Sequence, residues 1–184
     1  MNIDHKLSKQ MFQFTRHSHV LRPFAIFCAT SLIFVMATAM AMLYQGADPM
    51  ETMMNRLLGA GVLFLLPLGM TWAVTFVIQL LVRRERPFDD GQGRSLITMV
   101  WDGPSFPSAH ASLAFAIASI GTIFAPELFG PWLWIGAIFV AWGRVAVGVH
   151  YVSDVLVGAV LGTIVSFGST IAILFFLISQ GLVD

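Results

Sequence analysis

The sequence predicts an all-α fold: a polytopic membrane helix bundle with five transmembrane helices and an N-terminal interfacial helix, residues 1–184 forming one integral-membrane domain. Three observations lead there. Hydrophobic residues make up 57% of the chain and charged residues 11%, where a soluble domain carries about 25% charged; the mean hydropathy is +0.81. The apolar residues gather in long runs, near the roughly 20 residues that a span requires. The ionisable residues collect at the ends of those runs. Ten Lys/Arg cancel ten Asp/Glu, which excludes a globally basic nucleic-acid binder and an acidic solvating protein. One cysteine, Cys28, excludes an intramolecular disulfide and argues against a cysteine-based metal site.

Taken in order, residues 1–22 mix Lys6, Lys9, Arg16 and Arg22 with Leu7, Met11 and Phe14 at helical spacing. That pattern reads as a short helix lying in the membrane interface; a disordered basic tail is the other reading. Pro23 to Tyr44 has no charge and forms the first span. Its Ala37-Thr38-Ala39 resembles a signal-peptide cleavage site, but a signal h-region is shorter, about 7–15 residues, and starts nearer the N-terminus. The run is therefore read as a retained helix. Leu57 to Val82 is the second span, with Pro67 and Gly69 marking a kink. Residues 83–107 are the one long connection, and such a loop is usually functional or disordered. Ser108 to Ala125 is the third span, opened by a proline start signal at Pro107. Gly130 to Val149 is the fourth, interrupted by Arg144, and Val155 to Ser179 is the fifth. In the fifth, Gly158 and Gly162 have the spacing of close helix packing.

Three polar groups stand where polarity is expensive. Arg144 lies in an apolar run, where a mid-membrane arginine costs about 2.5–3.5 kcal/mol. His150 follows six positions later and Asp154 four beyond it, one turn apart if the chain is helical there. A carboxylate so placed takes one ring nitrogen and leaves the other as nucleophile or base; an interfacial pair that only caps a helix is the alternative. Ser108 and His110 open the third span, where free backbone N–H groups make an anion site, or where Ser108 is simply an N-cap. Arg83-Arg84-Glu85-Arg86-Pro87 closes the second span, suited to phosphate recognition or to anchoring at the interface. Alternating span directions bring all three groups to one membrane face. Together they suit phosphoryl transfer, with arginines on the oxyanions, one histidine attacking and the other protonating the leaving oxygen.

These residues resemble the three motifs of the type 2 phosphatidic acid phosphatase superfamily, which also includes vanadium haloperoxidases: Lys-x6-Arg-Pro, Pro-Ser-Gly-His and Ser-Arg-x5-His-x3-Asp. Arg86-Pro87, then Pro107-Ser108-Ala109-His110, then Arg144, His150 and Asp154 match in order and spacing. The resemblance implies a histidine nucleophile at His150, forming a phosphohistidine that water hydrolyses. It further implies Asp154 orienting that histidine, His110 as general acid, and Arg86, Arg144, Ser108 and Ala109 binding the phosphate. It implies no metal and no cofactor; Asp89-Asp90 is read as a solvated loop pair. Three positions depart from the pattern. The lysine of the first motif falls at Gln79, for which Arg83, one turn along, is expected to substitute. The glycine of the second is Ala109, and the serine of the third is Gly143.

The layout looks most like bacterial undecaprenyl-diphosphate phosphatases, implying hydrolysis of undecaprenyl diphosphate to undecaprenyl phosphate. Phosphatidic acid and phosphatidylglycerophosphate are the alternative substrates. A lipid phosphotransferase and a catalytically weakened lipid-binding protein are the rival classes; Gln79 keeps the last open. The expected partners are the lipid phosphate or diphosphate and the surrounding membrane lipid, with no nucleic acid. Five spans put 9 of the 10 basic residues on the face of the site, all but Arg56. The positive-inside rule would place that face in the cytoplasm, whereas the resemblance implies the outer face of a bacterial cytoplasmic membrane. The outer face is the reading adopted.

Overall fold

The computed structural model describes residues 3–45, 61–89, 94–99, 103–124, 127 and 129–182. Its helices are α1 (Ile3–His17), α2 (Leu21–Thr30), α3 (Leu32–Gln45), α4 (Leu66–Val82), α5 (Ala109–Phe124), α6 (Gly130–Ala146) and α7 (Val152–Ser179). No strand occurs among the described residues.

The helices wear their polarity inside out. On α4 the buried residues are Pro67, Thr71, Thr75 and Gln79, one every four positions, so they form a stripe down one face. Thr71 and Thr75 return their hydroxyls to the carbonyls four residues back, which satisfies them without water. The opposite face exposes Met70, Val74, Val77 and Leu81. On α7 the buried stripe is Asp154, Gly158, Gly162, Ser166 and Thr170, while Leu156, Val160, Ile164 and Phe175 point outward. Small and polar residues inside with large apolar residues outside is the pattern of helices packed in lipid. The chain is an integral membrane protein.

The sequence expectations are met unevenly along the chain. Residues 3–17 form a helix, not a disordered tail, and it packs into the bundle through buried Ser8, Phe12 and Thr15. The first expected span is two helices, α2 and α3, bent by 50° at Ser31. Thr30 donates its hydroxyl to the Ile26 carbonyl at 2.7 Å, a local bond that competes with helix hydrogen bonding and bends helices. In the second span the irregularity precedes Pro67, as a π turn at Gly61–Leu65; the start of that run, at Leu57, lies outside the described residues.

Among the described residues, two helical stretches, Gly61–Val82 and Val152–Ser179, are long and apolar enough to cross a membrane, and the bent pair makes a third if counted as one span. At 16 and 17 residues, α5 and α6 fall short of that length. Helix α5 is the centre of the bundle: Ala111, Ala114, Ala116, Ala118 and Gly121 are all buried. Gly158 and Gly162 of α7 lie against it, where an added Cβ would sit 2.7 Å from the Ser108 carbonyl oxygen and would overlap that of Ser112. The small-residue pair thus brings the starts of α5 and α7 side by side, and the Ser108 N–H donates to the Asp154 carbonyl at 3.0 Å.

Candidate active site

The starts of α5 and α7, the last turn of α6 and the loop after α4 meet at one end of the bundle. Asp154 is the third residue of α7, and its Oδ2 accepts the Tyr151 N–H at 2.8 Å. The same Oδ2 stands 3.5 Å from His150 Nδ1. The carboxylate caps the helix start, and His150 Nδ1, which makes no hydrogen bond among the described residues, faces it. His150 is 2% exposed and Asp154 is fully buried. Burial pushes the His150 imidazole down to about 4, against the pull of Asp154 and with the Arg144 and Arg86 guanidiniums adding to the depression. At neutral pH the ring is uncharged, as a nucleophile must be.

The arginines are held by backbone. Arg86, 4% exposed, donates Nε to the Gly103 carbonyl at 2.7 Å and Nη1 to the Val149 carbonyl at 3.1 Å. Arg144, 2% exposed, donates Nη1 to the Ala29 carbonyl at 3.0 Å, just before the break between α2 and α3. Its Nη2 points at the Met99 sulfur, 3.6 Å away. The Arg144 Nε and the Ser108 hydroxyl are buried with no hydrogen-bond partner among the described residues. No carboxylate among them pairs with Arg144 either. A buried cation facing only a carbonyl and a thioether is poised for an anion. The first-turn N–H groups of α5 have no intrahelical acceptor and favour negative charge as well.

Gln79, Arg86, Ala109, His110, Arg144 and His150 line one cavity of about 710 Å³. Its other wall includes Phe34, Trp72, Phe76 and Leu113. One end is cationic with two histidines, and the other is aromatic and aliphatic.

A model of the PAP2 superfamily matches residues 60–178. The chain belongs to that superfamily. It is also similar to an undecaprenyl-diphosphatase of Sulfolobus acidocaldarius, 31% identical over 112 residues, 54% of this chain and 52% of that protein. The chain thus spans about half the length of that curated relative. Two crystal structures share the fold. One is LpxE of Aquifex aeolicus, with a TM-score of 0.67 and 19% identity over 92% of this chain and 95% of that one. The other is a transmembrane PAP2-type phosphatidylglycerolphosphate phosphatase of Bacillus subtilis, with a TM-score of 0.62 and 20% identity over 100% of this chain and 90% of that one.

Of the residues matched to the PAP2 motifs, Arg86, Ala109, His110, Arg144 and His150 converge on the cavity, with Ser108 and Asp154 buried behind it. Arg83, expected to replace the first-motif lysine, is not among the residues that line the cavity. Helix α4 ends at Val82, and Arg83 turns into the left-handed region at φ 47°. The helical register over Gln79 is lost there, and the exposed Arg83 side chain donates to the Leu80 carbonyl at 3.0 Å. Gln79 itself lines the cavity and donates Nε2 to the Pro107 carbonyl at 2.8 Å. The third-motif serine is Gly143 for a packing reason: a Cβ there would lie 2.8 Å from the Ala29 nitrogen and 2.9 Å from the Cys28 Cβ.

Sequence reasoning missed Arg84, which donates Nη1 to Asp154 Oδ1 at 2.7 Å, and Asp4, which accepts Arg84 Nη2 at 2.8 Å. Arg84 was visible only as one of three clustered arginines. Asp4 carries no local signal, since its partners lie 80 and 149 positions away. Asp90 and Arg56 lie outside the described residues.

Proposed function

We propose that this chain is a lipid phosphatase that hydrolyses a lipid phosphate through a phosphohistidine at His150, with undecaprenyl diphosphate as the substrate and undecaprenyl phosphate as the product. The convergence of Arg86, Arg144, His110 and His150 on a cavity whose far wall is Phe34, Trp72 and Phe76 carries the reading. A phosphate fits the cationic end, and a hydrocarbon tail fits the apolar one. The name of the Sulfolobus relative supports the diphosphate.

In the reaction, Arg86, Arg144, the Ser108 hydroxyl and the first-turn N–H groups of α5 at Ala109 hold the terminal phosphoryl oxygens. Asp154 orients the His150 ring through its Nδ1–H and stabilises the charge that develops there, so that the Nε2 lone pair attacks the terminal phosphorus and the bond to the bridging oxygen breaks. His110 gives its proton to that leaving oxygen. It then takes a proton from the water that attacks the phosphohistidine, which releases inorganic phosphate and restores both histidines. Gln79 adds a neutral donor to the cavity wall, and the chemistry needs no metal or other cofactor.

The layout that accompanies this reading is a single domain over residues 1–184, with residues 1–22 at the membrane interface, residues 83–107 as the active-site loop and five spans. The short α5 and α6 complete the five crossings, α5 inside the bundle and α6 with an apolar face of Trp132, Ile135, Ile138 and Phe139 turned outward. The site faces outward from a bacterial cytoplasmic membrane.

A phosphate-release panel tests the function. The purified chain is given undecaprenyl diphosphate, phosphatidic acid and phosphatidylglycerophosphate without an added acceptor. Release is expected to be fastest from undecaprenyl diphosphate and to fall at least about a thousandfold in His150→Ala. Release only when an acceptor alcohol is added would replace hydrolysis with phosphotransfer, and activity surviving in His150→Ala would remove the phosphohistidine.

A further inference from the structure

Helix α1 is fastened to the start of α7 by side chains, and the fastening reaches the nucleophile. Ser153 donates its N–H to Asp4 Oδ1 at 3.0 Å and its hydroxyl to Asp4 Oδ2. Val152 donates its N–H to the Ser8 hydroxyl at 3.0 Å. Two of the first N–H groups of α7, which have no intrahelical acceptor, are thus satisfied by α1. The Arg84 guanidinium bridges onward, from Asp4 Oδ2 at 2.8 Å to Asp154 Oδ1 and the Ser153 hydroxyl, both at 2.7 Å. It also lies 4.0 Å over the Tyr151 ring, which stacks on His5 of α1.

Both oxygens of Asp154 are therefore committed. Oδ1 is held by Arg84, while Oδ2 is held by the Tyr151 N–H and faces His150 Nδ1. Neither Asp4 nor Arg84 lines the cavity. We propose that Asp4 and Arg84 are positioning residues: α1, acting through Asp4, Arg84 and Asp154, fixes the orientation and protonation of His150. The proposal rests on the reading of His150 as the nucleophile. A carboxylate pinned at both oxygens presents its partner imidazole in one orientation, and small misplacements of a reacting group are costly in rate. Burial pushes the Asp4 carboxyl up, but the bonds from Ser153 and Arg84 outweigh it and hold the group below the usual carboxylate range. Asp4 is thus an anion that offsets Arg84 beside the site.

The two residues then act on His150 with opposite signs. His150 is also faced by Asp154, Arg144, Arg86 and His110, all retained in the variants. Asp4→Asn leaves the Arg84 charge uncompensated, which disfavours protonated His150. Arg84→Gln removes that charge and strengthens the pull of Asp154 on the protonated ring. The experiment is an NMR titration of ¹⁵N-histidine-labelled full-length protein in detergent, with the His150 signal assigned by its loss in His150→Gln. Phosphate-release kinetics are measured on the same samples.

The His150 midpoint is expected to move down in Asp4→Asn and up in Arg84→Gln, with kcat falling about tenfold and KM unchanged. Asp4→Glu restores the charge and should recover the parent midpoint, so an unstable Asp4→Asn does not remove the test. Midpoints that stay at the parent value, or move in the same direction in both variants, would overturn the positioning role. A parent whose activity survives His150→Ala would overturn the nucleophile reading, and this proposal with it, in the kinetic arm alone.

Discussion

Arg144 is 2% exposed, with a carbonyl and a thioether for partners, whereas Arg83 is exposed and bonded to the last turn of its own helix. The same side chain therefore has opposite expected roles. Arg83→Ala should leave KM for the lipid phosphate unchanged. Arg144→Ala should lower kcat/KM by about a hundredfold or more, because its charge acts in a water-poor site. Equal effects of the two substitutions in steady-state kinetics would contradict the geometry.

His150 supplies a second residue-scale prediction. Burial holds its imidazole at about 4, below the ordinary 6.5. Between those values the unfolded chain binds the proton and the folded one does not, so stability rises with pH across that window. The contribution is fully present above 6.5 and is lost as pH falls through about 4. Thermal melts in detergent should accordingly steepen in pH dependence below 6.5, and His150→Gln should flatten that slope relative to the parent. The carboxylates common to both proteins cancel in the comparison.

At the scale of elements, the site depends on two helices starting close together. Gly162 faces the Ser112 backbone, which cannot move aside as a side-chain tip would, whereas a Cβ at Gly168 meets nothing within 4 Å. Gly162→Ala is therefore expected to cost about 1–3 kcal/mol through overpacking and to reduce activity by separating α5 from α7. Gly168→Ala is expected to be neutral or to stabilise by up to about 1 kcal/mol, since alanine favours the helix. Melting temperatures of the two variants decide it. These elements were legible in the apolar runs and in the spacing of Gly158 and Gly162. The break at Ser31 was not, because an uncharged run looks alike whether straight or bent. At the bend the Ala29 carbonyl accepts from Arg144, a partner 115 positions away that no local pattern announces.

At the scale of the whole molecule, the basic residues of the described helices are gathered at one end. Helix α1, with Lys6, Lys9 and Arg16, packs beside the start of α7, at the same end as Arg84, Arg86 and Arg144. Some of this charge is tied up in the site: Arg86 and Arg144 in the cavity, and Arg84 against Asp4 and Asp154. These arginines weigh less in a positive-inside count than free loop charges do, which reduces the charge that argues for a cytoplasmic site but leaves Lys6, Lys9 and Arg16 of α1 counting toward it. Single cysteines at Asp89 and at Ala47, in a Cys28→Ala background, are expected to react and to be silent, respectively, with an impermeant thiol reagent on intact cells. The reverse pattern would place the site in the cytoplasm.

The sequence by itself determined the membrane-helical class, the positions of most helices and the motif residues, because these follow from local hydropathy and from spacing within one turn. His110, Arg144, His150 and Asp154 were legible through their match to the motifs of the family. Only the tertiary structure decided that Gln79, and not Arg83, lines the cavity and that Arg84 belongs to Asp154. A helix that ends at Val82 with a left-handed Arg83 redirects every side chain after it. Asp4 meets Ser153 across 149 positions, and nothing in local pattern ranks one distant pairing above another. Packing of α1 against α7 selects that pair, and with it the geometry of the candidate nucleophile.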